Sequence, residues 1–178
     1  PVDRCYLCKK YMFTKVKELA HSLGISTILE GTNADDLKQY RPGIKAIKEL
    51  GLHSPLLEAN MTKKEIRALA AAYGLKAANK PSSPCLATRF PYHTLLNYEE
   101  MRKVEKIEDY LHACGFYNVR ARIHNDLVRL EIDQDAFMKC MDYSQEIVLF
   151  IKELGYDYVT LDLEGFRSGS QDIKLEEK

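Results

Sequence analysis

Three cysteines frame the chemistry open to this chain. Cys5 and Cys8, in "RCYLCKKYMF", stand three residues apart at what reads as a helix start; Cys85 follows in the Pro- and Ser-rich stretch "NKPSSPCLATRFPY". Residues three apart on a helix share a face. The partial positive charge of a helix start, reinforced by Arg4, Lys9 and Lys10, favours thiolate, the form of cysteine that binds metal or attacks electrophiles. A disulfide needs two thiols and a structural zinc site usually four ligands, so three suit a centre with one open position. The bland alternative is that Cys5 and Cys8 are small buried hydrophobes. Cys85 is set differently, because Pro81, Ser82, Ser83 and Pro84 precede it and Arg89 follows. That loop reads as built to present a thiol beside a cation. Cys114 and Cys140 fall on apolar helix faces and read as core filler.

Two further groups carry charge in a pattern. In "EGTNADDLKQYRPG", Asp35 and Asp36 follow a short apolar run and offer oxygen ligands for Mg²⁺, with Arg41 available to phosphate. Turn and cap chemistry accounts for the same residues, and taken alone it is the better account. Arg120 and Arg122 share one side of a strand, with Glu131 on the return strand and Arg167 in "GFRSGS". Such a face is either solvated or a two-point clamp for phosphate or carboxylate, and spacing does not choose. Glu99, Glu100, Lys103 and the "KLEEK" tail read as solvated charge, and the histidines show no ligand spacing.

The elements that must position these groups follow from periodicity. "YMFTKVKELAHSLG" has helical spacing and a stop at Gly24. "ISTILEG" predicts a short, mostly buried strand and "HSPLLEA" another. "PGIKAIKELG" predicts a helix between Pro42 and Gly51, and Thr62 with Glu65 forms a capping-box pattern ahead of a helix that stops at Gly74. Beyond a proline-rich loop, a long amphipathic helix carries Met101, Val104, Ile107, Leu111 and Cys114 on one side. "NVRARIH", a turn at Asn125-Asp126 and "LVRLEI" predict an antiparallel hairpin. A helical stretch from about Gln134 to Leu154 and a strand in "YDYVTLDL" complete an α+β unit of ferredoxin-like flavour. The boundary between the two parts is expected near Thr94, giving parts at 1–94 and 95–178.

Composition narrows the classes. With 178 residues, 26 basic against 26 acidic, the chain has room for a sizeable core and no dominant pull toward nucleic acid or anionic lipid. No apolar run has the length to span a bilayer. Five cysteines at uneven spacing make a poor disulfide framework and point to a reducing, cytoplasmic setting.

Taken in order, "DRCYLCKK", "GTNADDLKQYRPGIKA", "NKPSSPCLATRFPY", "VRARIHND" and "YVTLDLEGFRSG" resemble the LarE-type sulfur transferases of the PP-loop ATP pyrophosphatase superfamily. The resemblance implies an α/β fold: the C-terminal part of a PP-loop (adenine nucleotide α-hydrolase-like) parallel sheet, then a smaller α+β substrate or oligomerisation domain. It implies that ATP adenylylates a carboxylate of a pyridinium-biscarboxylate mononucleotide, and that sulfur displaces AMP to give a thiocarboxylate on the way to the nickel-pincer nucleotide. Sulfur comes either from a [4Fe-4S] cluster on three cysteines, here Cys5, Cys8 and Cys85, or from Cys85 itself. The cluster is preferred, because sacrifice of Cys85 leaves Cys5 and Cys8 without a task. By motif, Asp35, Asp36 and Arg41 fall at the ATP side with Mg²⁺. Arg89, Arg120, Arg122, Glu131 and Arg167 fall where the family gathers substrate and phosphate contacts. A homo-oligomer is also implied.

One departure stands out. The SGGxDS loop that cradles pyrophosphate is absent, and none of the nine glycines adjoins another. With a first residue of Pro1, the expectation is a fragment that binds ATP weakly or not at all. Two rivals remain: a tRNA-thiolating relative, disfavoured by neutral charge, and a non-catalytic zinc module built on Cys5, Cys8, Cys85 and a histidine.

Overall fold

The computed structural model describes residues 1–81, 83–167 and 170, so Ser82 of the Cys85 loop, part of "GFRSGS" and the "KLEEK" tail lie outside the described residues. The chain divides into two compact units, Pro1–Lys80 and Pro81–Lys178. The division falls earlier than Thr94 because the segment after Pro81 belongs to the second core. There Phe90 is buried in the apolar cluster and Arg89 is bonded to Glu108.

In the first unit, α1 (Arg4–Ser22) begins early enough to include both Cys5 and Cys8, and Gly24 beyond it takes a left-handed φ of 72°. It is tied to α2 (Gly43–Leu50) by Tyr6 and Lys10, both bonded to Glu49 at 2.8 and 2.9 Å, and by Lys17 on the Leu50 carbonyl. Pro42 and Gly51 bracket α2 as the sequence indicates. A short α3 (Pro55–Glu58) precedes α4 (Lys63–Ala72), whose start carries the Thr62–Glu65 capping box. Buried apolar residues here are few and small: Ala20, Ala46, Ile47, Leu52 and Ala78. The stripe Met12, Val16, Leu19 and Leu23 is exposed on this unit.

The two strands expected here are not formed as such. "ISTILEG" and "HSPLLEA" meet in one parallel bridge, Leu29 to His53, with Glu30 N–H on the His53 carbonyl and His53 N–H on Ile28. Leu29 is exposed rather than buried. Pro55 lacks an N–H to extend the ladder and instead opens α3. Among the described residues of this unit no further strand flanks the bridge, and a parallel pair depends on such neighbours for burial.

The second unit holds the larger core. Helix α5 (Tyr98–Ala113) is capped by Asn97, whose side chain accepts the Glu99 N–H at 2.8 Å. Its predicted stripe turns inward: Val104, Ile107 and Leu111 are buried, with Met101 and Cys114 packed at the margin. Each such aliphatic side chain contributes about 1.5–3 kcal/mol by leaving water. Strands β1 (Val119–His124) and β2 (Leu127–Ile132) form the antiparallel hairpin, with Asn125 at φ 58° in the turn. The stretch after Gln134 breaks at Tyr143 into α6 (Phe137–Asp142) and α7 (Ser144–Glu153). Strand β3 (Tyr158–Leu161) then lies parallel to and directly beside β2. The order β1-β2-β3 departs from ferredoxin-like topology, where the crossover leaves room for an interleaved strand. The architecture is mixed α/β. No helix among the described residues is long and apolar enough to cross a membrane.

Candidate functional site

In the second unit the Cys85 turn and the arginine face of the hairpin are one structure. Cys85 is exposed and opens the 3-10 turn Leu86–Arg89. Arg89 closes that turn, and its side chain is 1% exposed. It grips Glu108 at two points, Nε to Oε1 and Nη2 to Oε2, both 2.7 Å. Its Nη1 donates to the Pro84 carbonyl at 3.2 Å, to Thr88 Oγ1 at 2.9 Å and to the Cys85 carbonyl at 3.5 Å. Glu108 Oε1 also accepts the Ala121 N–H of β1 at 2.9 Å. Buried ions of this kind are tolerable only when paired and hydrogen-bonded.

Arg120 and Arg122 are buried rather than solvated. Arg122 holds Glu131 at 3.1 and 3.0 Å and reaches the Thr88 carbonyl at 2.6 Å, joining the hairpin to the Cys85 turn. Glu131 has no exposed surface and also meets Arg129 at 3.3 Å and Ser170 Oγ at 2.9 Å. Arg129 passes the chain of charge to Asp162 at 2.6 Å. Arg167 lies 3.8 Å from Asp162 and 2.6 Å from Glu164. Arg120 stacks over Phe166, 4.9 Å from its centroid, and donates to the Val119 carbonyl. Burial, then the neighbouring Arg89 charge, pushes its guanidinium down to about 10, partly opposed by Glu108. It stays cationic at neutral pH.

In the first unit Cys5 and Cys8 lie one turn apart at the start of α1, both exposed. None of the five cysteines is in a disulfide. Asp35 and Asp36 serve the loop. Asp35 accepts from the Lys63 N–H at 2.8 Å and from Lys38 at 2.9 Å; the Lys63 bond, then Lys38, holds its carboxyl below the ordinary range. Asp36 accepts the Asn33 N–H at 3.1 Å in a capping box and meets Arg41 at 3.3 Å. Both carboxylates thereby serve as caps, Asp36 for its own loop and Asp35 for the first turn of α4. Within either unit, no group of three His, Cys, Asp or Glu among the described residues is placed to hold a metal ion.

Some residues of these networks escape a reading by motif. Glu108 is one, though a carboxylate four residues beyond Val104 and next to Ile107 on a helix's inner side was a visible signal. Glu30 is another. It accepts the Thr32 N–H at 3.1 Å and the Thr32 hydroxyl at 2.7 Å, and also the Ser54 hydroxyl, beside the parallel bridge.

No family profile matches the chain. Individual proteins do. It is 38% identical over 97% of its length to the pyridinium-3,5-bisthiocarboxylic acid mononucleotide synthase of Lactiplantibacillus plantarum, spanning 63% of that protein. It is 40% identical over 95% of its length to an uncharacterised protein of Synechocystis, spanning 64% of it. A third match, 31% identical over 93% of the chain, is an uncharacterised protein of Methanocaldococcus jannaschii, of which the chain spans 65%. The chain thus spans a little under two thirds of the length of these relatives. The ordered motifs and this kinship agree: over nearly its whole length the chain is similar to a LarE-type synthase.

Proposed function

We propose that this chain belongs to an ATP-dependent sulfur transferase that converts a carboxylate of a pyridinium mononucleotide into a thiocarboxylate. The kinship with the L. plantarum synthase, along nearly the whole chain, carries this reading. A carboxylate is a poor electrophile, so one of its oxygens first attacks the α-phosphorus of ATP and expels pyrophosphate. A sulfur nucleophile then attacks the activated carbonyl carbon, and AMP leaves with the electron pair of the broken C–O bond. Arg89 and Arg122 are committed to Glu108, Glu131 and main-chain carbonyls, so a contact to an anionic nucleotide in the second unit falls to the part-exposed Arg167, whose guanidinium is suited to phosphate and carboxylate alike.

Cys5, Cys8 and Cys85 fit a cluster by donor chemistry, being exposed and outside any disulfide. A [4Fe-4S] cluster held by three thiols would supply an iron with an open position able to carry sulfide. In the other route Cys85 attacks through its own sulfur. Loss of its Cα proton and cleavage of Cβ–S then leave dehydroalanine and release the thiocarboxylate.

Anaerobic reconstitution of a form of the protein that binds ATP, with iron and sulfide, then incubation with ATP and the pyridinium dicarboxylate mononucleotide, tests the reading. Release of AMP with gain of sulfur on the mononucleotide is expected. A Cys85 peptide lighter by H₂S after turnover selects the second route, and an unchanged peptide on a brown, cluster-bearing protein selects the first. AMP release with no sulfur on the product would refute the proposal.

A further inference from the structure

We infer that Arg89 and Glu108 are a positioning pair, which fixes the main chain carrying Cys85 rather than binding substrate. The inference rests on the reading above that Cys85 takes part in sulfur transfer. It begins with the donors of Arg89. Nε and Nη2 are taken by Glu108, and Nη1 is shared among the Pro84 carbonyl, Thr88 Oγ1 and the Cys85 carbonyl. A side chain 1% exposed with these partners has little left to offer a ligand. Glu108 is occupied in the same way, accepting from Arg89 twice and from the Ala121 N–H.

What the pair does is set the turn. The Cys85 carbonyl also accepts the Thr88 N–H at 2.9 Å and the Thr88 hydroxyl at 2.8 Å. The Thr88 carbonyl is held by Arg122. Carbonyls at positions 84, 85 and 88 are thereby fixed by two buried guanidiniums, each clamped by a carboxylate, while Cys85 itself is exposed. A buried ion pair is a costly way to obtain stability, since well-packed apolar residues of similar volume often serve as well. Apolar residues, however, cannot address carbonyls. What the pair adds is position, and an error of about 1 Å in a reacting atom can cost on the order of a hundredfold in rate.

The test uses the protein that turns over in the assay above, carrying Arg89→Met with Glu108→Leu, and Glu108→Gln as a milder second variant should the first not fold. Amide exchange at Thr88 and Phe90 should rise at least about tenfold, with β2 unchanged and β1 changed only at Ala121, whose N–H loses its Glu108 acceptor. Alkylation of Cys140, buried in this core, reports any general loosening and should stay slow. The turnover number should fall about tenfold or more while KM stays within about twofold. Unchanged exchange at Thr88 would overturn the inference, as would a raised KM with an unchanged turnover number, which marks a substrate contact. Exposure of Cys140 together with the turn would reduce the pair to general stability and overturn it too. Absence of turnover in the unsubstituted protein would sink the functional reading instead, and exchange alone would then decide the anchoring.

Discussion

Arg122 and Glu131 meet diagonally across the hairpin, at 3.1 and 3.0 Å, although their direct cross-strand partners are Arg129 and Arg120. The register sets two guanidiniums opposite each other, Arg122 and Arg129, and Glu131 Oε1 lies within reach of both. Like charges facing across a ladder are unfavourable, so this carboxylate, with no exposed surface, is what makes the arrangement tolerable. Glu131→Ala should lower unfolding free energy by about 3–5 kcal/mol, because it strands buried cations. Glu131→Gln, which keeps one acceptor, should cost less. Urea unfolding of both variants checks the order; equal small losses would mean that the network is hydrated.

The Asp35 loop makes an acid prediction. The Lys63 N–H, then Lys38, lowers the carboxyl from its ordinary value in the folded chain. A depressed carboxyl contributes stability above its unfolded value and loses it as pH falls through the folded one. Asp35→Asn should therefore weaken the first unit at neutral pH, and the difference from the parent should shrink toward zero in acid. If Asp35 and Asp36 serve only as caps, millimolar Mg²⁺ leaves the melting temperature unmoved. A Mg²⁺-dependent rise that Asp35→Asn abolishes would instead reveal a cation site.

Periodicity made the second unit's skeleton readable. Val104, Ile107 and Leu111 recur at helical spacing, and Val119, Ala121 and Ile123 alternate before Asn125-Asp126. Both patterns record which side of an element faces apolar surroundings. They do not record what covers the other side, and so the burial of Arg120 and Arg122 was not legible. That burial depends on Glu108 and on the Cys85 turn, brought in from other segments of the unit. In the first unit the capping residues Thr62 and Glu65 were legible because the cap is local. "ISTILEG" was misread because a short apolar run promises a strand only where neighbours exist to flank it.

Tyr156 gives an alkaline prediction. Burial, followed by its hydrogen bond to Glu100 at 2.8 Å, raises the phenol well above its ordinary value of 10.0. A phenol raised in the folded state contributes stability below its unfolded value, and that contribution is lost as pH climbs toward the folded one. Most of the eleven tyrosines should therefore ionise before Tyr156 in an absorbance titration. Tyr156→Phe should shrink the late step to the part left by Tyr110, whose phenol burial also raises, and cost about 1 kcal/mol at neutral pH. A titration in which the variant keeps the late step at full size would reassign it.

The two units should differ in local stability. The second buries a cluster that includes Val104, Ile107, Leu130, Ile132 and Ile151, all at 2% exposure or less. The first buries mainly alanines with Ile47 and Leu52, and leaves Met12, Val16, Leu19 and Leu23 of α1 exposed. Opening free energy follows buried apolar contact, and a helix without a packed apolar face has little besides propensity to hold it. Native-state hydrogen exchange on this chain should thus show α1 and α4 opening at lower free energy than α5, β1 and β2. Ile107→Ala, which opens a cavity under α5 at a cost of about 2–5 kcal/mol, should bring the second unit's amides toward the first unit's range. Protection of α1 equal to that of α5 in the unsubstituted chain would show that the exposed stripe is covered in solution, and would make the identity of its cover the next measurement.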